Sequence, residues 1–332
     1  MWFLVLLAVG LYLMYKSSEW VIKYSLVLSR ILGISTFVIG FIMVSVITSL
    51  PELFVSIFSV LEGEPNLAVG TILGSNMSDI TLVIGMVAIF AGTIHMKKKE
   101  TLHLVELLFI TSIITIFIFQ TGSLTQIHGI ILLILFGFLM RRLYKRGRIS
   151  KDVYQDKGEP KPKAWPIFGR FLIAISVLII ASRLVVWGAV DMADQFYIAS
   201  AFIGLTIIAF GTSLPELAVE LRAVKKKEYS FAMGDLFGSA ITNITLVLGA
   251  LSLFSPTSIN IVPLASLVPY MIIAIMFIWY TFSEKGKITR FEGLLLIMLY
   301  MLFIFTTFFF DELGILNIFG LIGPQNGMWV GG

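Results

Sequence analysis

Four short segments carry nearly all of the chemistry this sequence offers: Thr48-Ser-Leu-Pro-Glu52, Ser75-Asn-Met-Ser-Asp79, Thr212-Ser-Leu-Pro-Glu216 and Ser239-Ala-Ile-Thr-Asn243. In each, a hydroxyl residue precedes an acid or amide by four positions, the spacing that stacks two side chains on one helix face. There is no cysteine, and the three histidines stand apart from these segments. The available donors are therefore hard oxygens, which suit Ca²⁺ with its roughly 6 to 8 ligands and, in subsets, Na⁺. Pro51 and Pro215 sit beside the glutamates. A proline has no N–H to donate, so the carbonyls of Ile47 and Gly211 lose helical partners and each helix is predicted to break next to its Glu.

The elements that position these groups are apolar. Of 332 residues 58 % are hydrophobic and 13 % charged, with a mean hydropathy of +0.97, against about 25 % charge in soluble domains. A nucleic-acid binder, a disordered chain and a cytosolic enzyme are excluded, since so little charge could not solvate a surface of this size. The reading is an all-α integral membrane protein, and not an enzyme. Each intramembrane carboxylate then costs at least about 2.5 to 3.5 kcal/mol, which demands a purpose. The run from Met1 to Tyr15 has no basic start or cleavage site and reads as a retained first helix.

Ten apolar runs long enough to span are predicted near 2–29, 33–61, 66–91, 101–120, 123–143, 166–190, 198–223, 229–254, 260–282 and 290–310. Arg30, Lys97 to Lys99, the stretch Arg141 to Lys163, Arg222 with Lys225 to Lys227, and Lys285 to Arg290 fall in alternate loops. Those loops are assigned to the cytoplasm and both termini to the outside of the cell membrane. The chain divides into a first five-helix half at 1–143, a basic cytoplasmic linker at 144–165, a second half at 166–310 and a tail at 311–332.

The halves repeat. Thr48–Glu52 recurs as Thr212–Glu216, and Gly70-TILGSNMSDITLVI-Gly85 aligns with Gly234-DLFGSAITNITLVL-Gly249, both at an offset of 164. Two matches at one offset make duplication far more probable than accident. Because each half holds five helices, the second enters the membrane from the opposite side, an inverted-topology repeat with broken helices at the midplane. Gly70, Gly74, Gly234 and Gly238 are small residues at i, i+4 that let helices approach closely.

TSLPE followed by GSNMSDI, and GTSLPE followed by GSAITNI, resemble the paired alpha-repeats of the sodium/calcium exchanger family, in its prokaryotic type. The resemblance covers nearly the whole chain. It implies secondary antiport of Ca²⁺ against Na⁺ by alternating access, with no organic cofactor. It further implies a central Ca²⁺ site on Glu52 and Glu216 with the carbonyls of Thr48 and Thr212. Sodium sites are implied at Ser49, Ser75, Ser213 and Ser239 with the carbonyls of Ser45 and Ala209. Asp79 and Asn243 match the remaining polar pair, and the first and sixth helices would be the sliding gate. The sequence departs from the family pattern at Ile47, at the order of Asp79 and Asn243, at Thr71 and Asp235 in place of a frequent Asn, and at Arg183, whose equivalent is Glu19.

Partners implied are Ca²⁺, Na⁺ and lipid, with no nucleic acid. Competing readings are a proton/calcium exchanger on the same fold, a cation channel, and an aspartyl protease built on Asp79 and Asp235. Glu220, one turn from Glu216 toward Arg222, is expected to snorkel or to pair. Glu106 is expected to be buried and protonated, or paired, and His95, His103 and His128 to serve at the membrane interface.

Overall fold

The computed structural model describes residues 2–61, 65–95, 98–121, 123–146, 163–195, 213–254, 257–258 and 267–312. Among these the chain forms ten helical stretches: α1 (Trp2–Leu32), α2 (36–61), α3 (65–91), α4 (Lys98–Gln120), α5 (Gln126–Arg146), α6 (Ala164–Gln195), α7 (Leu214–Lys225), α8 (229–254), α9 (Leu267–Glu284) and α10 (Arg290–Glu312). Seven helices are long and apolar enough to cross a membrane, and Val105–Ile118 is a shorter apolar helix. The starts of the seventh and ninth expected spans, most of the linker and the end of the tail lie outside the described residues.

The distribution of side chains is that of a protein in lipid. Phe54, Phe90, Phe117, Ile134, Ile173 and Met298 are each more than half exposed, while Glu52, Asp79, Glu216, Glu220, Asp235 and Asn243 are buried. A bilayer accepts the apolar exterior at no cost, so the interior is free to carry polarity.

Three helices change gauge where the repeated motifs lie. Helix α2 has a π turn at Gly40–Val44 and is interrupted at Ser49; α3 has one at Ser78–Val83, and α8 has one at Asn243–Val247. A π turn adds a residue to the backbone ring and is most often found at functional sites.

The packing follows the offset of 164. Helices α1 and α6, which are repeat equivalents, pack along their lengths. Gly188 near the end of α6 lies against Phe3 and Leu7 at the start of α1, so the two run antiparallel. Helices α4 and α9, also equivalents, pack on each other. Gly85 in α3 abuts Gly293 in α10, and their equivalents Gly249 in α8 and Gly129 in α5 abut in the same way: a Cβ at Gly85 would stand 2.6 Å from the Gly293 carbonyl, and one at Gly129 would stand 2.7 Å from that of Gly249. Two small antiparallel strand pairs obey the same rule. Strand β1 (Thr93–His95) pairs with β4 (Lys287–Thr289), and β2 (Ser123–Leu124) with β3 (Thr257–Ser258).

Even the helix starts recur. Glu292 accepts from the Thr289 N–H at 2.9 Å, a capping box at the start of α10. At the equivalent positions of α5, His128 Nδ1 accepts from the Thr125 N–H at 3.3 Å and the His128 N–H donates to Thr125 Oγ1 at 3.4 Å. His128 is therefore a helix cap. Lys285 donates to Glu292 at 2.6 Å, and that bond raises the Lys285 pKa above its ordinary value.

Candidate functional site

Helix α2 reaches the centre of the molecule as a broken rod, and α7 starts there. Ser49, with φ −78° and ψ 0°, separates Ser45–Thr48 from Leu50–Leu61; its equivalent Ser213, with φ −85° and ψ 1°, precedes Leu214–Lys225. The break expected from Pro51 is present at Ser49; in the second half Ser213 adopts the same conformation at the start of α7, and the residues before it, Gly211 included, lie outside the described residues. The first turns after Ser49 and Ser213 carry Glu52 and Glu216, 0 % and 1 % exposed.

Ser75 of α3 joins the halves. Its hydroxyl donates to Glu52 Oε1 at 3.1 Å and lies 3.2 Å from Ser213 Oγ, one step from the Glu216 helix. The Asp79 carboxylate also faces the Ser213 hydroxyl, although neither of its oxygens closes a hydrogen bond. Glu52, Ser75, Asp79, Ser213 and Glu216 thus meet across the repeat boundary. Glu216 interacts electrostatically with Glu52, Asp79 and Asp235.

The equivalent contacts on the other side are not made. Ser239 does not bond Glu216, and the hydroxyls of Ser49 and Ser239, both oxygens of Glu216 and both amide atoms of Asn243 are buried without a hydrogen-bond partner among the described residues. Buried polar atoms in folded proteins almost always have partners. The orphaned oxygens of this set, those of Ser49, Ser239, Glu216 and Asn243 Oδ1, are what a hard cation would satisfy. Among the described residues no three acidic or histidine side chains converge tightly enough to enclose a metal ion, so carboxylates, hydroxyls and carbonyls would have to share that task.

Two predicted ligands are confined to their backbone atoms. Thr48 Oγ1 donates to the Val44 carbonyl at 3.1 Å and to that of Ser45 at 3.3 Å, and Ser45 Oγ donates to the Phe41 carbonyl. Their hydroxyls are spent within the helix, which leaves the carbonyls that the family resemblance implies. Thr212 and Ala209 lie outside the described residues.

Close packing brings α8 to the first half of α2. A Cβ on Gly234 would stand 2.3 Å from the Phe37 carbonyl, and one on Gly238 would stand 2.7 Å from Ser45 Oγ. The expected close approach therefore holds at these two glycines, whereas Gly70 meets no described atom within 4 Å. Nearby, Asn76 Nδ2 donates to the Ala240 carbonyl at 3.0 Å.

Two expectations are corrected. Glu220 neither snorkels nor pairs: it is 0 % exposed, and both carboxylate oxygens lack a hydrogen-bond partner among the described residues. Arg222, the base expected beside it, instead reaches α1, where Nη2 lies 2.7 Å from Glu19 Oε2 and the guanidinium sits 4.6 Å from the Tyr15 ring centre. Glu106 is exposed on α4 rather than buried. Arg183, the repeat equivalent of Glu19, is exposed on α6. Asp235, which stands where the family has a frequent Asn, is 0 % exposed near the start of α8.

The chain matches the sodium/calcium exchanger protein family over residues 2–145 and 166–309. It is 34 % identical over 295 residues to an uncharacterised membrane protein of Methanocaldococcus jannaschii, covering 88 % of this chain and 94 % of that one. It is 29 % identical over 348 residues to the sodium/calcium exchanger MaX1 of Methanosarcina acetivorans, covering 92 % and 98 %. A solved structure of the sodium-calcium exchanger NCX_Mj, soaked with Na⁺ and Sr²⁺, superimposes with a TM-score of 0.76 at 29 % identity over 90 % of this chain and 97 % of that one. Both motif copies fall inside the matched residues, and the chain belongs to the sodium/calcium exchanger family as a multi-span membrane antiporter of the prokaryotic type.

Proposed function

We propose that this antiporter exchanges Ca²⁺ for Na⁺ across the cell membrane by alternating access. The observation that carries the reading is the Ser75 bridge, which ties Glu52 of one repeat to Ser213 beside Glu216 of the other inside a buried centre made only of oxygen donors. Ca²⁺ is held there by Glu52 and Glu216 with the carbonyls of Thr48 and Thr212. Na⁺ occupies the flanking groups, Ser49, Ser75, Ser213, Ser239, Asp79 and Asn243 with the carbonyls of Ser45 and Ala209. The two halves are inverted copies, a reading supported by the antiparallel run of the equivalent helices α1 and α6. That helix pair, packed along its length and meeting the core at the Glu19–Arg222 contact, is the moving element. The basic loops face the cytoplasm and both termini lie outside.

Sodium rather than protons as counter-ion is supported by the hydroxyls and amide around the acids, which coordinate metal ions but carry no exchangeable charge. Ca²⁺ flux into proteoliposomes is measured with an imposed Na⁺ gradient and, separately, with an imposed pH gradient. Flux with the Na⁺ gradient alone is expected; flux with the pH gradient alone would make the protein a proton/calcium exchanger. Single-channel currents in a planar bilayer would overturn antiport itself.

A further inference from the structure

Glu220 and Asp235 are two acids for which the central site has no use. Glu220 lies one turn beyond Glu216 on α7, and Asp235 one turn before Ser239 on α8, both toward the turn at 226–228 that joins the two helices. The two helices pack together, and the two carboxylates interact electrostatically with each other and with Asp79. Both residues are 0 % exposed, and all four of their carboxylate oxygens lack a hydrogen-bond partner among the described residues.

Among the described residues no base neutralises them. Arg222 is committed to Glu19 and Tyr15 on α1, and Lys226 lies 4.0 Å from the same Glu19. A third polar group points the same way: Ser239 stands four residues after Asp235, on the same helix face, and its Cα–Cβ bond leans toward the helix start and so toward Asp235. Its hydroxyl is buried and unpartnered. The fold itself does not ask for acids at this level. Their repeat equivalents are Ser56 and Thr71, and Ser56 simply donates to the Ala68 carbonyl at 3.3 Å.

We propose that Glu220 and Asp235 form a second divalent-cation site, one helical turn from the central pair on the side of the basic loops, with Ser239 Oγ as a shared ligand. Two carboxylates buried without base or hydrogen bond are a state that proteins avoid unless a cation lies between them. One divalent ion matches the charge of the pair, and an oxygen-only donor set selects a hard ion of the Ca²⁺ class. The site is a staging position: an ion held here is one turn from Glu216 and has left the basic surface formed by Arg222 and Lys225 to Lys227. The equivalent level of the first half has hydroxyls only, so staging operates on one face of the membrane.

Equilibrium binding of ⁴⁵Ca²⁺ to the purified full-length protein in detergent tests the site separately from transport. Wild type is expected to bind two Ca²⁺ per chain, E52Q/E216Q one, and the same variant with E220Q and D235N added none. Loss of all binding in E52Q/E216Q, or binding that persists in the fourfold variant, overturns the second site. Should the fourfold variant aggregate, E220Q alone decides the matter by lowering the stoichiometry from two to one; one ion in wild type or two in E220Q refutes the proposal. The proposed central site fails separately, if E52Q/E216Q binds as many ions as wild type. In oriented vesicles E220Q should raise the KM for Ca²⁺ about tenfold from the basic-loop face and leave the opposite face unchanged, whereas a merely structural role would move both.

Discussion

Glu216→Gln should make the ion-free protein more stable while removing the central site's part of its response to Ca²⁺. Glu216 is 1 % exposed, and neither oxygen has a hydrogen-bond partner among the described residues. An uncompensated buried charge costs several kcal/mol, whereas a buried amide without partners costs about 1 to 3 kcal/mol. The substitution therefore gains about 2 kcal/mol in chelator, equivalent to about 3 °C of melting temperature for a chain of this length. At a Ca²⁺ concentration of about 100 Kd an occupied site gives about 2.7 kcal/mol of ligand linkage, and the variant should lose the central site's share of the wild-type gain. Intrinsic-fluorescence melting of the detergent-solubilised protein, with and without Ca²⁺, measures both quantities. Glu52→Gln is the built-in comparison: its carboxylate already accepts from Ser75 at 3.1 Å, so its gain in chelator should be smaller. A Glu216→Gln protein that melts below wild type in chelator, or whose Ca²⁺ shift is as large as that of wild type, would refute the reasoning.

Other outcomes follow from the same structure. Gly234→Ala should fail to accumulate as folded protein, because its Cβ would meet the Phe37 carbonyl at 2.3 Å with backbone on both sides; Gly137→Ala, exposed on α5 with nothing within 4 Å, should fold normally and melt no lower than wild type. Glu52→Gln and Glu216→Gln should each abolish Ca²⁺ flux in proteoliposomes while eluting as folded protein. Asp79→Asn should weaken Na⁺-driven Ca²⁺ flux, and adding Asn243→Asp should restore a measurable part of it; no recovery in a folded double variant would tie Asp79 to the first repeat alone. Three intramembrane acids at the centre favour unequal charge transfer, so a valinomycin-imposed potassium diffusion potential should change the rate of Ca²⁺ uptake, and an unchanged rate would count against that stoichiometry.

The repeat and its polar motifs were legible because they interrupt an apolar background. Glu52, Asp79 and Glu216 stand out in sequence; in space Ser75 joins Glu52 to Ser213, which begins the helix of Glu216. The break at Ser49 was legible from proline chemistry alone. The partners of Arg222 were not. Spacing along α7 puts Glu220 beside it, but the guanidinium turns outward to α1, and only the tertiary arrangement decides which helix stands there. The burial of Glu220 and Asp235 escaped for the same reason: in a membrane protein an acid near a basic loop reads as interfacial, and its depth depends on where the helix turn falls. The π turns left no mark either, since an added residue per ring has no composition of its own. His128 could have been found, because Thr125 and His128 stand at the same offset from Thr289 and Glu292 as every other repeated pair.

Asn76 and Ala240 are equivalent positions of the two halves, and they touch each other. A position that meets its own counterpart lies on the axis relating the copies. In a dimer of two identical chains the same residue would have to occupy both sides, so two asparagine side chains would compete for one space. Joining the halves in a single gene removes that constraint. One copy keeps the amide donor, the other shrinks to alanine and presents only its carbonyl, and the bond is made once. Pairs like this record how far a fused duplication has moved from its symmetric ancestor, and they are where an attempt to separate the protein into two matching halves would first fail.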